Sequence, residues 1–445
     1  ARPACSGTAC QRRAGPCPRR RRWARPTAGA WCRPCLSRTC RRRRCFLSCP
    51  PSATGSGATM GLALTRAAYP GRIHFRVMQA IGRTNLPYVS CIVAFARKEL
   101  AEFCAARGDA AACRAAVLER VAVWTIPLEM GKGPAHQRGL LNEVRDHNDP
   151  GAFCLNTDSH MDFHERWDEL MIQEWVGIGN EFAVCTAYPM RMMSNQDKLF
   201  AKSHVDLCGW NLENGIPRGQ GGDNLRSEPG QKPYLTMNWA AGFSFGRCHM
   251  DRNVPVDKHL EWIFTGEEVD RAVRLWTSGY DLYLPAFTYI YHDYDHAKQE
   301  FWSVKHDQSL PGRSKARIKA KLNITSPAGA RARRDAASDE APDFGLFGLG
   351  SQRTLEQYVE WARVDLGTPQ WRDFLARRGL QPVVNNMPHW YCQTLARVPV
   401  RSSRALREAV QQGGLPAAEW RFRPAFDSSD PDALPVMALD EQSGL

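Results

Sequence analysis

The chain of 445 residues contains no run of 18 apolar residues, which predicts that no helix crosses a membrane. Its first 50 residues contain no lysine and no acidic residue, but they hold 14 arginines. Hydrophobic residues make up 43% of the chain and charged residues 24%, a globular balance that excludes a wholly disordered or collagen-like protein. The length predicts two to three domains, or one large domain with extensions.

The net charge of +13 comes from the N-terminal segment alone. The remaining residues hold 45 basic side chains against 46 acidic ones, so the body of the protein is close to neutral. A neutral body does not predict specific nucleic-acid binding. The arginine-rich segment by itself would bind phosphate polymers without specificity.

Cysteine is divided in the same way, since eight of the 16 lie within residues 1–50. Cys32 and Cys35 have the C-x-x-C spacing of a zinc or redox site, but the neighbouring arginines repel a cation. The other eight are scattered from Cys91 to Cys392, which predicts reduced core thiols in a reducing compartment. Because no signal-peptide pattern is visible either, we expect a cytoplasmic protein.

Composition divides the chain into four segments. Residues 1–59 are of low complexity and predict a disordered Arg/Cys-rich tail. Strand and helix patterns then alternate, which predicts an α/β layered domain over 60–325. Residues 326–343 are rich in Ala, Arg, Ser and Pro and predict a linker or loop, and 344–445 predict a partly helical C-terminal extension.

Two helices are predicted with a defined beginning or end. Thr354-Leu-Glu-Gln357 fits a capping box that opens a helix. The stretch from Glu267 to Trp276 places apolar side chains on one face, and Gly279 is a plausible stop.

The sharpest local feature is Asp158-Ser-His160, which directly follows the apolar run Phe153–Thr157. A carboxylate and an imidazole two positions apart on an extended turn point the same way and can chelate one divalent cation. Ligands of α/β sheets bind at the carboxyl ends of the strands, where this motif is expected. Taken alone, the motif fits a polar turn capped by an aspartate better than a metal site.

Other motifs accompany this one in a fixed order: Gly131-Lys-Gly-Pro134, Arg138-Gly-Leu-Leu141, Trp239 to Phe245, Val254-Pro-Val-Asp257, Phe264-Thr-Gly-Glu-Glu268, Arg274 to Asp281, Tyr291-His292 and Gly348 to Tyr358. Over residues 60–370 this set resembles the GlcNAc-transferase family typified by cytoplasmic protein-hydroxyproline α-N-acetylglucosaminyltransferases. It is also similar to polypeptide GalNAc-transferases, which pair an aspartate-x-histidine with a later Gly-Gly-Glu block.

The resemblance implies a GT-A nucleotide-sugar transferase fold, with a Rossmann-like mixed sheet flanked by helices. It implies that Asp158, His160 and His292 hold Mn²⁺ or Mg²⁺ on the diphosphate of the donor, UDP-GlcNAc. A divalent cation there would stabilise the negative charge of the leaving UDP. The alternative for His292 is a histidine that merely ends a strand.

The same resemblance assigns five further site residues. Arg138 would contact the donor, and Gly242 would let the backbone approach the donor sugar closely. Glu267 and Glu268 would bind sugar hydroxyls or the acceptor, and Asp257 would help shape the same catalytic pocket. Plainer alternatives remain open: a surface salt bridge for Arg138, a bulge for Gly242, a helix N-terminus that favours acids for the two glutamates, and a turn cap for Asp257.

The implied reaction is a retaining transfer of GlcNAc to a hydroxyl of an acceptor protein. The resemblance implies hydroxyproline on a ubiquitin-ligase adaptor subunit as the acceptor. Retaining enzymes need no protein nucleophile if the leaving group and the acceptor react on one face of the sugar. Positioning and electrostatic stabilisation would then carry catalysis.

One segment departs from the family pattern. Family members open with a strand of the type Ile-x-Val-x-Ile just before the helix that corresponds to Thr59–Ala68. Here Cys49-Pro-Pro-Ser-Ala-Thr-Gly-Ser-Gly occupies that place. We therefore expect the strand to be missing, the N-terminus to be truncated or mispredicted, and uridine binding to be impaired.

Three other functions compete. His160, Asp162 and His292 fit the H-x-D…H triad of Fe(II)/2-oxoglutarate oxygenases, although that fold is a double-stranded β-barrel. His160 and His164 form an H-x-x-x-H pair, but it is not the H-E-x-x-H of zinc proteases. A catalytically inactive scaffold of the same fold is the non-enzyme alternative, and the missing strand is its main support.

Overall fold

The computed structural model describes residues 45–49, 55–81, 91–144, 151–192, 203–221, 224–227, 230–295, 305–324, 344–382 and 390–400. Most of the predicted tail, the predicted linker over 326–343 and the end of the chain lie outside the described residues. The Cys32–Cys35 pair lies there too.

The described residues contain fifteen strands and twelve α-helices. The strands are β1 (Cys45–Cys49), β2 (Ile73–Ile81), β3 (Val121–Pro127), β4 (Phe153–Thr157), β5 (Met161–Phe163), β6 (Ala183–Thr186), β7 (Met190–Arg191), β8 (Ser203–Val205), β9 (Gly209–Glu213), β10 (Ile216–Gln220), β11 (Asn224–Arg226), β12 (Tyr234–Leu235), β13 (Phe243–Arg247), β14 (Asp281–Leu284) and β15 (Ile290–His292).

The helices are α1 (Gly55–Arg66), α2 (Cys91–Ala94), α3 (Leu100–Ala105), α4 (Ala110–Leu118), α5 (Pro134–Val144), α6 (Trp167–Ile178), α7 (His249–Asn253), α8 (Glu267–Thr277), α9 (Leu310–Lys321), α10 (Leu355–Ala362), α11 (Pro369–Ala376) and α12 (Trp390–Thr394). A π-helical turn, Phe95–Glu99, joins α2 to α3. Thr354 and Gln357 form the predicted capping box at the start of α10. No helix in the described part of the chain is long and apolar enough to cross a membrane.

Eight strands form the central sheet in the order β12-β14-β6-β13-β4-β1-β2-β3. Strands β3, β2, β1 and β4 run parallel, and β13 pairs antiparallel with both β4 and β6. Alternate residues of β4 enter two different core clusters, as expected for a sheet covered on both faces. The predicted α/β fold, a Rossmann-like mixed sheet flanked by helices, is confirmed.

The strand expected to be missing is present. Cys45–Cys49 lies inside the sheet and pairs parallel with both β2 and β4, with Leu47 in register with Phe75 and Leu155. The expected loss of this strand is therefore wrong. The tail predicted over 1–59 also extends too far, since β1 and the start of α1 belong to the folded body.

The predicted C-terminal extension packs on the main core. Tyr358 and Trp371 are buried in the same apolar cluster as Trp276 of α8. Arg353, 1% exposed, binds Asp281 at the start of β14 with an N–O distance of 2.7 Å.

Six of the eight scattered cysteines form disulfides, so the prediction of reduced thiols is wrong for them. The pairs are Cys104–Cys113, Cys154–Cys248 and Cys208–Cys392. Cys91 and Cys185 are free and buried. Spacing along the sequence did not reveal the pairs because two of them join residues 94 and 184 positions apart.

Candidate active site

Strand pairing brings the aspartate-x-histidine motif and the later histidine together. Asp158 directly follows β4, and His160 directly precedes β5. Strand β15 pairs antiparallel with β5 so that His292 lies opposite Met161. The backbone N–H of Asp293 donates to the carbonyl of His160 at 3.0 Å, which fixes this register. Sheet hydrogen bonds between β5 and β15 therefore hold His292 beside the Asp158–His160 motif.

The resulting group has the spacing of metal ligands. One ligand atom from each of Asp158, His160 and His292 lies within 4.8 Å of the others. The Nε2 atoms of the two histidines are 2.9 Å apart, and Asp158 Oδ2 lies 3.3 Å from His292 Nε2. Adjacent ligands of an octahedral ion bound at roughly 2.1 Å are separated by about 3 Å. Asp158, His160 and His292, the metal group, therefore fit one divalent cation.

A buried arginine holds the carboxylate of the group in place. Arg138 Nη2 donates to Asp158 Oδ1 at 2.6 Å, and Nη1 donates to both carboxylate oxygens of Glu267 at 2.9 and 2.8 Å. Burial by itself would raise the pKa of Asp158, but the hydrogen bond with His292 and the charge of Arg138 hold it well below its usual range. Asp158 is therefore an anion at any physiological pH.

The two glutamates of α8 have different surroundings. Both oxygens of Glu267 are bound to Arg138, so this carboxylate orients the arginine. Glu268 accepts hydrogen bonds from Tyr188 Oη at 2.6 Å and from the backbone N–H of Ala241 at 3.1 Å. Burial raises the pKa of Glu268 to about 7, although those two hydrogen bonds partly offset the effect. Glu268 is thus the glutamate suited to proton-linked chemistry near neutral pH.

Gly242 lies against the metal group. A Cβ atom added there would be 3.1 Å from Asp158 Oδ2 and 3.5 Å from Pro189 Cδ. The Gly242 carbonyl accepts the Thr157 hydroxyl at 3.0 Å. The backbone at Gly242 therefore approaches the carboxylate of Asp158 closely, and its predicted contact with the donor sugar stays a prediction.

Asp257 does not join this group. Its carboxylate is fully buried and pairs with Arg317 and Lys321 of α9, at 2.7 Å in each case. It also accepts the backbone N–H of His259, which is the turn-capping alternative. These contacts place Asp257 in a network with two cations and outside the group of Asp158, His160 and His292.

Trp239 opens one of the motifs of the resemblance and Trp276 lies within another, and both are core residues. Trp239 and Trp276 are 1% and 0% exposed and belong to one apolar cluster.

Two aromatic residues of the site were not predicted from the sequence. Tyr188 binds Glu268, and the ring of Tyr294 lies 4.1 Å from the ring of His292. Neither belongs to one of the motifs quoted from the sequence, so no spacing pattern singles them out.

The competing triad is not assembled. The carboxylate of Asp162 pairs with Arg66 at 3.0 Å, so Asp158 completes the group with the two histidines. The central sheet is mixed and open, unlike a double-stranded β-barrel. His164 binds the carbonyl of Glu165 and is outside the metal group. The oxygenase and zinc-protease alternatives are therefore rejected.

A family model described as Glycosyltransferase (GlcNAc) matches residues 64–367. No curated protein sequence matches the chain.

Solved structures that align with the chain include a crystal structure of GalNAc-T7 with UDP, GalNAc and Mn²⁺, at 11% identity and a TM-score of 0.45. That alignment covers 77% of this chain and 58% of GalNAc-T7, so the chain spans less than two thirds of that structure. TarS of S. aureus in complex with UDP-GlcNAc aligns at 11% identity and a TM-score of 0.39, over 83% of this chain and 87% of TarS. The mannosyltransferase PcManGT of Pyrobaculum calidifontis, in complex with GDP-Man and Mn²⁺, aligns at 9% identity and a TM-score of 0.37, over 78% of each chain.

Proposed function

The chain belongs to the GlcNAc glycosyltransferase family, and we propose that it is a metal-dependent GT-A transferase that moves GlcNAc from UDP-GlcNAc to a hydroxyl group of an acceptor protein. The observation that carries this proposal is the convergence of Asp158, His160 and His292 at the carboxyl end of β4. Strand β1, present inside the sheet, removes the main support for an inactive scaffold.

Of the two cations implied by the resemblance, Mn²⁺ suits this donor set better. Two of the three ligands are imidazoles, whereas Mg²⁺ prefers oxygen ligands almost exclusively. Such an ion, when bound, stabilises the negative charge that develops on the leaving diphosphate. Arg138 contributes indirectly, since its hydrogen bonds fix Asp158 in place.

The remaining residues orient the sugar and the acceptor. Glu268, held by Tyr188 and Ala241, is our candidate for contacts with sugar hydroxyls. Glu267 positions Arg138. No nucleophile is assigned, and retention of configuration through reaction on one face of the sugar remains part of the proposal.

Hydroxyproline is the first acceptor to test, because the family resemblance implies it. The three disulfides favour an acceptor in an oxidising compartment over a cytoplasmic ubiquitin-ligase adaptor, since disulfides are rare in reducing compartments. We therefore propose that the hydroxyl acceptor belongs to a protein of such a compartment.

The test is a transfer assay that measures UDP release and the mass of a hydroxyproline-containing peptide. We expect UDP-GlcNAc turnover with Mn²⁺, loss of turnover with EDTA, and a loss of at least 100-fold in Asp158→Asn, at the upper end of the range for groups that support a metal site. Asp162→Asn is the matched control, since its carboxylate is four positions away and binds Arg66. Turnover that survives EDTA, or an equal loss in both variants, would contradict the proposal.

A further inference from the structure

Next to the Arg138 contacts, one further buried ion pair joins the same strand and helix, and the proposed reaction does not use it. Arg271 of α8 and Asp251 of α7 are 1% and 0% exposed, and their closest N–O distance is 2.8 Å. The same carboxylate accepts hydrogen bonds from Asn156 Nδ2 of β4, at 3.0 and 3.1 Å to its two oxygens. This pair therefore links β4 to α8 through the carboxylate of Asp251.

The contacts of Asp251 repeat the arrangement of the contacts of Arg138, since each joins a residue at or just after β4 to a residue of α8. Asn156 lies in β4 and precedes Asp158 by two positions, and Arg271 follows Glu267 by four positions on α8. Two residues of a strand rise about 6.6 Å and four residues of a helix about 6 Å, so the two links are parallel layers of matching height. The upper layer is Asp158–Arg138–Glu267, and the lower layer is Asn156–Asp251–Arg271.

A disulfide forms a third layer and fixes the position of Asp251. Cys154, two positions before Asn156, forms a disulfide with Cys248, which directly precedes α7. Asp251 thus lies on a turn that is covalently attached to the strand it binds. The guanidinium of Arg271 also lies 5.8 Å from the ring of Trp239, in the segment that leads to Gly242.

Stability alone is a poor explanation for this arrangement. Nε and Nη1 of Arg271 have no hydrogen-bond partner within the described part of the structure, and buried donors without partners cost free energy. Apolar residues of similar volume often replace a buried ion pair without loss of stability. What the charged pair provides is a fixed separation and register between β4 and α8.

We infer that Asp251 and Arg271 are positioning residues, which hold β4 and α8 at the separation that lets Arg138 fix Asp158 in the metal group. The inference rests on the proposed function, because it concerns the same site. Neither residue is one of the three candidate ligands in the described part of the chain. Their loss should therefore weaken cation binding while the fold is kept.

The variants are Arg271→Met, Arg271→Lys and Asp251→Asn, and the matched control is Arg353→Met. Arg353 is equally buried in an ion pair with Asp281, but it binds the carbonyls of Trp276 and Tyr280 at the opposite end of α8. Both methionine variants should lower the melting temperature. Asp251→Asn keeps the side-chain shape and removes the charge, so it tests the same ion pair if Arg271→Met fails to fold.

The readouts on the full chain are the Kd for Mn²⁺ in the presence of UDP and the amide hydrogen exchange of residues 156–158. We expect Arg271→Met and Asp251→Asn to raise the Kd about tenfold, Arg271→Lys to raise it less, and Arg353→Met to leave it within about twofold. Equal effects of Arg271→Met and Arg353→Met, or no effect of either, would overturn the inference.

Hydrogen exchange separates this outcome from a failure of the proposed function. If the wild-type chain binds no Mn²⁺, the metal site is wrong, yet the positioning role still predicts faster exchange at 156–158 in Arg271→Met than in Arg353→Met. Equal exchange in the two variants would overturn the positioning role whether or not metal binds.

Discussion

Asp158 and His160 were predictable as neighbouring side chains because an extended turn places residues i and i+2 on the same side. Their third partner was predictable only through the family resemblance, since His292 is 132 positions from His160 and reaches it by strand pairing. Residue types alone could not separate Glu267 from Glu268. Their difference depends on Arg138 and Tyr188, which approach from other elements.

Gly242→Ala tests the close approach of backbone to the metal group. The added methyl group would be 3.1 Å from Asp158 Oδ2, so the carboxylate must move by a few tenths of an ångström. We expect Mn²⁺ and UDP-GlcNAc affinity to fall about tenfold by calorimetry, with little change in melting temperature. Gly177→Ala in α6 is the control, since open space surrounds it and alanine there should stabilise the helix by about 0.5–1 kcal/mol. Unchanged affinity in Gly242→Ala would show that the contact is unimportant.

Glu174 of α6 should make stability depend on pH. Burial raises its pKa to about 8, partly offset by the N–H of Ala286. Because the folded state keeps a proton that the unfolded chain releases, this contribution is complete below pH 4.5 and is lost as the pH rises through about 8. Glu174→Gln should therefore match the wild type near pH 5 and exceed its free energy of unfolding above pH 8 by about 1–3 kcal/mol.

Urea unfolding between pH 5 and 9 measures this difference. Glu181→Gln is a control of opposite sign: burial would raise the pKa of Glu181, but His249 and Arg247 hold it below its usual value. That variant should lose stability at neutral pH. Parallel pH profiles for the wild type and Glu174→Gln would refute the account of Glu174.

At the scale of elements, helices with local signals were predicted best. The capping box of α10 and the helix from Glu267 depend on residues three or four positions apart, and both are present. Strand β1 was missed because Cys45-Phe-Leu-Ser-Cys49 is short and follows four arginines. Its partners β2 and β4 come about 30 and 110 positions later, so only the assembled sheet defines it.

Two of the disulfides close loops of very different length, so their contributions to stability can be compared. Cys208–Cys392 joins the segment before β9 to α12 across 184 positions, whereas Cys104–Cys113 joins α3 to α4 across nine. Because the longer cross-link removes more entropy from the unfolded chain, Cys208→Ala with Cys392→Ala should cost about 5 kcal/mol. The pair Cys104→Ala with Cys113→Ala should cost about 2.5 kcal/mol.

Denaturant unfolding of the two double variants measures the difference. Cys185→Ala is the control, because it removes a buried thiol without removing a cross-link. Equal losses in the two double variants would contradict the explanation based on loop length.

At the scale of the whole molecule, composition predicted the class of protein but not its redox state. The alternating strand and helix patterns fit the mixed sheet that the structure shows. Scattered cysteines look alike whether reduced or paired, since pairing depends on which strands and helices become neighbours. The family match and the metal group together make donor binding the central claim.

The most direct measurement is a calorimetric titration of UDP-GlcNAc into the full chain, with and without Mn²⁺. We predict binding that requires Mn²⁺, is weakened at least tenfold in His292→Ala, and is unchanged in His164→Ala, a histidine outside the metal group. UDP-GlcNAc binding of equal strength without Mn²⁺, or undiminished in His292→Ala, would contradict the account.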